Sequence, residues 1–366
     1  MSDPFIPTPL FVLFVATAIV TLEMACGVAI WHAIVLRRAA RNRGAGDALA
    51  LEFARFLCEG LDPDRLRALV RKTRSGVFWA AVESFSDGIQ GEQWSRLSAE
   101  LRDLPEVARA RADLGHPGSW VRARAARRLG MLEDRGPRDA LFRAMKRGPR
   151  EVSLSAALAL ARLGDLPSLE WLLLHPEILT GLSRMQLQGL IRRFGPAAVE
   201  PMRRVAAAGS TEAPLQLAAL DALGHFRDEG SRAPLERLLA GGELESRIAA
   251  ARALGLIAHP DSVTPLAHAL RDPAWQVRAL AARSLGSYGP AGAPAIPALV
   301  ARTRDLSWWV RRNAAFSLGR FGFRGQAALA TVAGSDTDPY ARGAAREVLQ
   351  AIEWEAESPG GVTRVE

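Results

Sequence analysis

The sequence contains few cysteines and almost no lysine. Cys26 and Cys58 are the only cysteines in 366 residues, so the chain cannot form the disulfide framework of a small secreted domain. Such cysteine usage is typical of a protein that folds in a reducing compartment. Lysine occurs only at Lys72 and Lys146, so 47 − 2 = 45 of the basic residues are arginines. GC-rich codon usage is the simplest explanation of this bias.

Recognisable catalytic motifs are also missing. None of the six histidines pairs with a second histidine or a cysteine at metal-ligand spacing, and there is no Walker-type glycine loop or nucleophile elbow. The glycines of "GRFGFRG" (319–325) lie at a predicted helix–helix turn rather than after a strand, so they do not indicate a phosphate site. We therefore predict a protein that is not an enzyme and that has no metal or cofactor.

Aromatic residues make up only 7% of the chain, whereas alanine, leucine and arginine are abundant, and these three are strong helix formers. The net charge of +8 and the pI near 10.6 suit a nucleic acid or an anionic membrane as partner. A solvated, arginine-rich surface accounts for the same charge. Composition therefore predicts a helical protein and leaves its partner open.

A long apolar run, "LFVLFVATAIVTLEMACGVAIWHAIVL", occupies residues 10–36. A helix of this length spans about 40 Å, and the hydrocarbon core of a bilayer needs about 30 Å. The chain begins "MSDPF", without the basic start and cleavage site of a signal peptide. We predict a transmembrane helix over 10–36. Glu23, at its midpoint, either contacts a partner helix or is tolerated as a protonated acid.

Basic residues follow this run and none precedes it. The positive-inside rule predicts a single-pass protein of the inner (cytoplasmic) membrane, with residues 1–9 outside and everything after about residue 37 in the cytoplasm. Residues 37–46 form a basic juxtamembrane linker. Its arginines are expected to contact anionic lipid headgroups; they are Arg37, Arg38, Arg41 and Arg43.

The remainder of the chain is repetitive. A Leu-Gly or Phe-Gly pair recurs with glycines 29 to 34 residues apart, a period typical of a solenoid. Each repeat contains a "VRxxAAxxLG" stripe whose apolar positions share one helix face, followed by a second helix with proline near its start. The closing glycine is interpreted as a helix C-terminal signal. These glycines are Gly130, Gly164, Gly195, Gly224, Gly255, Gly286 and Gly319.

These units resemble HEAT repeats, of the short type also found in phycobilisome-lyase-like proteins. The resemblance covers residues 116–352 and is weak at "RMQLQGLIRRFG". It implies an all-α fold, a right-handed α-solenoid of helix pairs preceded by the transmembrane helix. It also implies a ladder between neighbouring units, formed by the arginine after each Val position and by Asp272, Asp305 and Asp336. Residues 47–115 are predicted to be a helical cap or degenerate repeats, and residues 353–366 a disordered tail.

Large aromatic residues cluster just before the first helix of successive repeats. They are Trp275, Trp308, Trp309 and Tyr340, with Trp120 at the equivalent place upstream. Equivalent positions of a solenoid lie side by side, so we predict a row along one edge that binds a protein partner, flanked by Arg278, Arg311 and Arg312. One of Trp308 and Trp309 is expected to pack inward, and packing of the aromatic rings against their own loops is the alternative to binding.

Three functions are compatible with these features. The first is a membrane-tethered cytoplasmic scaffold or adaptor whose partners include a membrane protein. Proteins of similar layout suggest an accessory to an envelope or signalling enzyme complex. The second is a basic HEAT-like nucleic-acid-binding protein, which the predicted membrane anchor argues against. The third, an enzyme of the HEAT-like bilin lyase type, has no identifiable ligand residue. We favour the scaffold and expect no nucleic acid as partner.

Overall fold

The computed structural model describes residues 44, 46–58, 63–89, 91–208 and 213–357, and every regular element in these ranges is helical. The predicted all-α class is confirmed. The predicted membrane segment 10–36, with Glu23, lies outside the described residues, as do Arg37, Arg38, Arg41 and Arg43. Within the described ranges, none of the helices combines the length and the apolar character that crossing a bilayer requires.

The chain divides into two compact units, residues 1–159 and 160–366. The helices of the first unit are α1 (46–58), α2 (Pro63–Lys72), α3 (Ser75–Gly88), α4 (Glu92–Leu101), α5 (Pro105–Asp113), α6 (Ser119–Met131) and α7 (Arg138–Arg147). The border between the units falls within α8 (Arg150–Arg162). The region 47–115 is thus helical where it is described. Its core contains aromatic as well as aliphatic residues: Phe53 and Phe78 are fully buried, and Phe53 packs edge-on against Phe85 at 5.2 Å.

The second unit contains twelve further α-helices in its described residues. They are α9 (Leu166–Leu174), α10 (Arg184–Arg193), α11 (Val199–Ala208), α12 (Ala213–His225), α13 (Arg232–Gly241), α14 (Leu244–Ile257), α15 (Val263–Ala269), α16 (Trp275–Leu285), α17 (Ile296–Arg302), α18 (Trp308–Gly319), α19 (Phe323–Ser335) and α20 (Pro339–Glu357). Short 3-10 helices at Pro176–Ile178, Gly195–Ala198, Glu229–Ser231, Pro260–Ser262 and Gly286–Ala295 join some of them.

The helices of the second unit stack as an α-solenoid. The first helices of successive repeats, α10, α12, α14, α16, α18 and α20, each pack on the next, and the second helices α13, α15, α17 and α19 lie beside them. The stripe of the motif provides the packing surface, since Val277, Ala281 and Leu285 are fully buried. Alanine at the middle position lets neighbouring helices approach closely, so each repeat buries its apolar stripe against the next.

Most of the glycines that close the repeat motif are needed because they lack a side chain, not because they end a helix. Gly164 and Gly195 have positive φ angles, 65° and 68°, as expected of a glycine that ends a helix. The same interpretation is wrong at Gly224 and Gly255, which lie inside α12 and α14. A Cβ built on Gly255 would lie 2.5 Å from the Cβ of Ser284 on α16. The absence of a side chain therefore allows contact between the first helices of adjacent repeats.

The predicted arginine–aspartate ladder is present. Arg247 donates from Nε to Asp272 at 2.9 Å, and Arg278 donates to both carboxylate oxygens of Asp305 at 2.8 and 2.9 Å. Arg278 also donates to the Asp272 carbonyl of its own loop at 2.9 Å. Each guanidinium thus connects its own loop to the next repeat.

The ladder is different between the repeat that contains Arg311 and the next one, which contains Asp336. The carboxylate of Asp336 accepts its two guanidinium contacts, both at 2.9 Å, from Nε of Arg304 instead of from Arg311. Arg311 donates to the Asp305 and Leu306 carbonyls of its own loop, and its guanidinium lies 5.0 Å from the centre of the Tyr340 ring. At this step an arginine–aromatic contact therefore replaces the ion pair between Arg311 and the next repeat.

The C-terminal helix continues beyond the predicted start of the tail at residue 353, since α20 reaches Glu357. The sequence from Glu353 to Glu357 contains neither glycine nor proline, so nothing stops the helix before "SPGG". Residues 358–366 lie outside the described residues.

Candidate partner-binding groove

The predicted aromatic residues lie where the sequence places them, at the starts of first helices. Trp275 and Trp308 are the first residues of α16 and α18. Trp275 is 42% exposed, Trp308 51%, Trp309 52% and Tyr340 69%. The expectation that one member of the 308–309 pair packs inward is wrong, because both indoles are half exposed and their rings meet edge to face at 4.7 Å. All four aromatic residues are therefore accessible.

A groove of about 580 Å³ runs between α16 and α18. We call it the α16–α18 groove. Its lining residues on α18 lie at intervals of three and four from Trp309, which places them on one helix face. The groove is lined by Ile248 of α14, by Trp275, Gln276, Ala279, Leu280 and Arg283 of α16, and by Trp309, Arg312, Asn313, Phe316, Ser317 and Arg320, on or just after α18.

Hydrogen bonds between the two helices fix the floor of the groove. The Asn313 amide nitrogen donates to the carbonyl of Ala279 at 2.9 Å, and the Ser317 hydroxyl donates to the carbonyl of Ala282 at 2.6 Å. Both contacts run from α18 to α16, one turn apart. They hold the two helices at a fixed separation, so the groove is a preformed feature of the stack.

The walls of the groove are aromatic and cationic. The Arg312 guanidinium lies 4.7 Å from the centre of the Phe316 ring and 5.5 Å from that of Trp308. Arg283, Arg312 and Arg320 make no ion pair with any residue that the structure describes. The lining contains no aspartate or glutamate. The groove thus combines exposed aromatic surface with three positive charges that no carboxylate of the described chain neutralises.

The flanking arginines of the predicted site have different environments. Arg312 lines the groove, whereas Arg311 contacts its own loop and Tyr340. Arg278 is held in the ladder, where the hydrogen bond with Asp305 raises its pKa. The pKa of Asp305 lies below its ordinary value: burial alone would raise it, but the hydrogen bonds from Arg278 and from the Ser307 N–H outweigh that effect.

Of the twelve residues that line the groove, the sequence predicts three as site residues, Trp275, Trp309 and Arg312; the other nine include two further arginines and an aromatic residue. Arg283, Phe316 and Arg320 lie at helical intervals further along the same faces. Extending the spacing of three and four residues from Trp275 and Trp309 would have found them. The predicted Trp275 and Trp309 lie at the starts of α16 and α18, so they mark one end of the groove.

No group of three or more histidine, cysteine, aspartate or glutamate side chains suited to a metal ion occurs among the residues with described positions. The α16–α18 groove contains neither a carboxylate nor a histidine. Its lining offers apolar contact, cation–π contact and attraction of negative charge.

Residues 241–305 match the family model of HEAT repeats. No curated protein sequence matches the chain. Among solved structures, the complex of CpcE and CpcF of phycocyanin lyase from Nostoc sp. PCC7120 is similar at 22% identity and a TM-score of 0.34, over 42% of this chain and 98% of that one. A designed armadillo repeat protein in complex with the peptide (KR)4 is similar at 19% identity and 0.34, over 59% and 99%. Kap121p bound to Ste12p is similar at 15% identity and 0.39, over 85% and 47%. The family match identifies HEAT repeats at residues 241–305, within the stack of helix pairs that runs from α10 to α20.

Proposed function

We propose that the chain is a scaffold or adaptor that binds a protein partner through its HEAT solenoid. The observation that carries the proposal is the α16–α18 groove, where Trp275 and Trp309 are half exposed beside arginines that have no carboxylate partner. Tryptophan and arginine are the residues most enriched at the energetic centres of protein interfaces. A stack of helix pairs presents such residues over an extended surface, which suits a protein partner. In this proposal the chain has no catalytic activity of its own.

We expect Trp275→Ala and Trp309→Ala, at two tryptophans that line the groove, each to weaken binding of the native partner by about 2 kcal/mol, the loss typical of an aromatic hot spot. The partner is identified by cross-linking the full chain in its own cells, and its affinity for each variant is then measured with purified proteins. Trp354→Ala is the matched control, because Trp354 is an exposed tryptophan of α20 outside the groove. Full binding by both groove variants would contradict the proposal, as would loss of the fold seen by circular dichroism.

We further propose that the scaffold is tethered to the inner membrane. The support is the apolar run 10–36 followed by four arginines, with the repeats on the cytoplasmic side. In this arrangement Glu23 contacts a membrane partner, in an envelope or signalling enzyme complex. A fluorescent-protein fusion at the C-terminus is expected to fluoresce at the cytoplasmic face of the membrane fraction. Activity of a C-terminal alkaline phosphatase fusion, which requires the periplasm, would reverse the orientation.

Nucleic-acid binding is the second candidate, because exposed tryptophans beside unpaired arginines also suit base stacking and phosphate contact. A membrane tether does not favour it. Retention of a single-stranded oligonucleotide by the full chain, with a loss of affinity in Trp275→Ala, would support this candidate over the scaffold.

A further inference from the structure

We propose that the α16–α18 groove binds an acidic segment of a partner protein, with carboxylates at Arg283, Arg312 and Arg320 and apolar side chains against Trp275, Trp309 and Phe316. This inference rests on the proposed scaffold function and names the chemistry of its partner. The observation that points to it is the contrast between two sets of arginines in the same repeats.

The ladder arginines are already neutralised by the chain. Arg247 and Arg278 are paired with buried aspartates at 2.8 to 2.9 Å, and little of their side chains is exposed. In the groove Arg283 and Arg320 are exposed, and neither forms an ion pair or a side-chain hydrogen bond with a residue that the structure describes. A partner supplying carboxylates would therefore complete contacts that the chain leaves open, and each charge-assisted contact adds to affinity and specificity.

The apolar part of the groove calls for apolar side chains beside those carboxylates. Ala279 and Leu280 of α16 contribute apolar surface to the lining, and Ile248 contributes from α14. The volume of about 580 Å³ accommodates several side chains. The groove is open to solvent, as its half-exposed indoles show, whereas a small-molecule site buries most of its ligand. A segment of a larger molecule fits this open groove better than a free ligand does.

A nucleic acid fits the groove less well than an acidic peptide. Stacking of bases requires open aromatic faces. The Arg312 guanidinium already lies over the Trp308 and Phe316 rings, and the edge-to-face packing of Trp308 with Trp309 restricts the pair further. The geometry therefore favours carboxylates at the arginines over bases on the rings.

The test uses the full chain and two synthetic helical peptides of equal length, one built from glutamate, leucine and alanine and the other with lysine in place of glutamate. We expect the acidic peptide to bind and the basic one not to bind. Arg283→Glu and Arg312→Glu should each weaken the acidic peptide by about tenfold. Arg237→Glu is the matched charge control, because Arg237 is exposed on α13, outside the groove. The Arg283→Glu/Arg312→Glu double variant should bind the basic peptide.

Each outcome decides the proposal. The proposal is supported if only the groove variants bind the acidic peptide more weakly and the double variant binds the basic peptide. Equal weakening by Arg237→Glu shows attraction to net charge alone and overturns it. Binding of oligothymidylate in preference to the acidic peptide, or self-association of the chain that Arg283→Glu abolishes, assigns the groove to another occupant. If the acidic peptide does not bind but Trp275→Ala still weakens binding of the native partner, this inference is wrong and the scaffold function stands. If the acidic peptide does not bind and Trp275→Ala leaves binding of the native partner unchanged, both proposals are wrong.

Discussion

Replacing Asp305 with alanine is expected to destabilise the protein by about 3 kcal/mol or more, one of the largest effects of any single substitution in the solenoid. The side chain of Asp305 is only 3% exposed and that of Arg278 only 15%. Asp305 accepts two hydrogen bonds from Arg278, one from the Ser307 N–H at 3.0 Å and one from Arg302 at 3.4 Å. Its removal leaves a largely buried guanidinium without its counter-charge.

Two further variants separate the charge from the other contacts of Asp305. Asp305→Asn keeps an acceptor for the Ser307 N–H but loses the charge, so we expect an intermediate loss. Asp261→Ala removes an exposed carboxylate paired with Arg232 at 3.5 Å and should cost less than about 1 kcal/mol. Urea denaturation of the three variants gives their free energies of unfolding. Equal stability of Asp305→Ala and Asp261→Ala would show that the ladder does not stabilise the stack.

The second large effect is expected from one added methyl group. Gly255→Ala should destabilise the protein by about 1–3 kcal/mol, the usual cost of overpacking. The new Cβ would lie 2.5 Å from the Cβ and 2.9 Å from the Cα of Ser284, distances that require α14 and α16 to move apart. The backbone of α16 cannot yield locally, because Ser284 is itself buried against the stack.

Gly343→Ala is the matched control, and we expect it to change the stability in the opposite direction. Gly343 lies in α20, and a Cβ there would meet nothing within 4 Å. Alanine is favoured over glycine in a helix by about 0.5–1 kcal/mol, so this variant should be slightly more stable. Thermal melting of both variants tests the pair. A rise in melting temperature for Gly255→Ala would mean that the first helices are not in the contact described.

The repeats could be predicted from sequence because their signal is periodic and local. The stripe of Val277, Ala281 and Leu285 specifies a helix face, and its recurrence specifies the stack. The resemblance is weak at "RMQLQGLIRRFG", because this repeat lacks the Val-Arg pair. The structure shows α10 there, begun by a capping box between Ser183 and Gln186, and Arg184 pairs with Asp221 on α12 at 2.6 and 2.8 Å. An arginine at a different position thus makes a bridge that the pattern could not locate.

The candidate site was predicted only in part, for a different physical reason. Aromatic residues stand out in a chain that has few of them, so Trp275 and Trp309 were found. Arginines do not stand out in a chain that has 45, and only the fold separates paired Arg278 from unpaired Arg283. Charge neutralisation depends on contacts between repeats about thirty residues apart, and no local pattern reports it. The role of Gly255 is likewise invisible in the local sequence, because it depends on the contact with Ser284 in the next repeat.

The claim that a protein partner occupies the α16–α18 groove is tested most directly by site-specific photo-cross-linking in living cells. A benzophenone amino acid is placed at Gln276, which lines the groove, and in a parallel strain at Arg237, which does not. The account predicts a discrete protein adduct at position 276 that is absent at position 237 and disappears when Arg312→Glu is added. No adduct at position 276, or the same adducts at both positions regardless of Arg312→Glu, would contradict it.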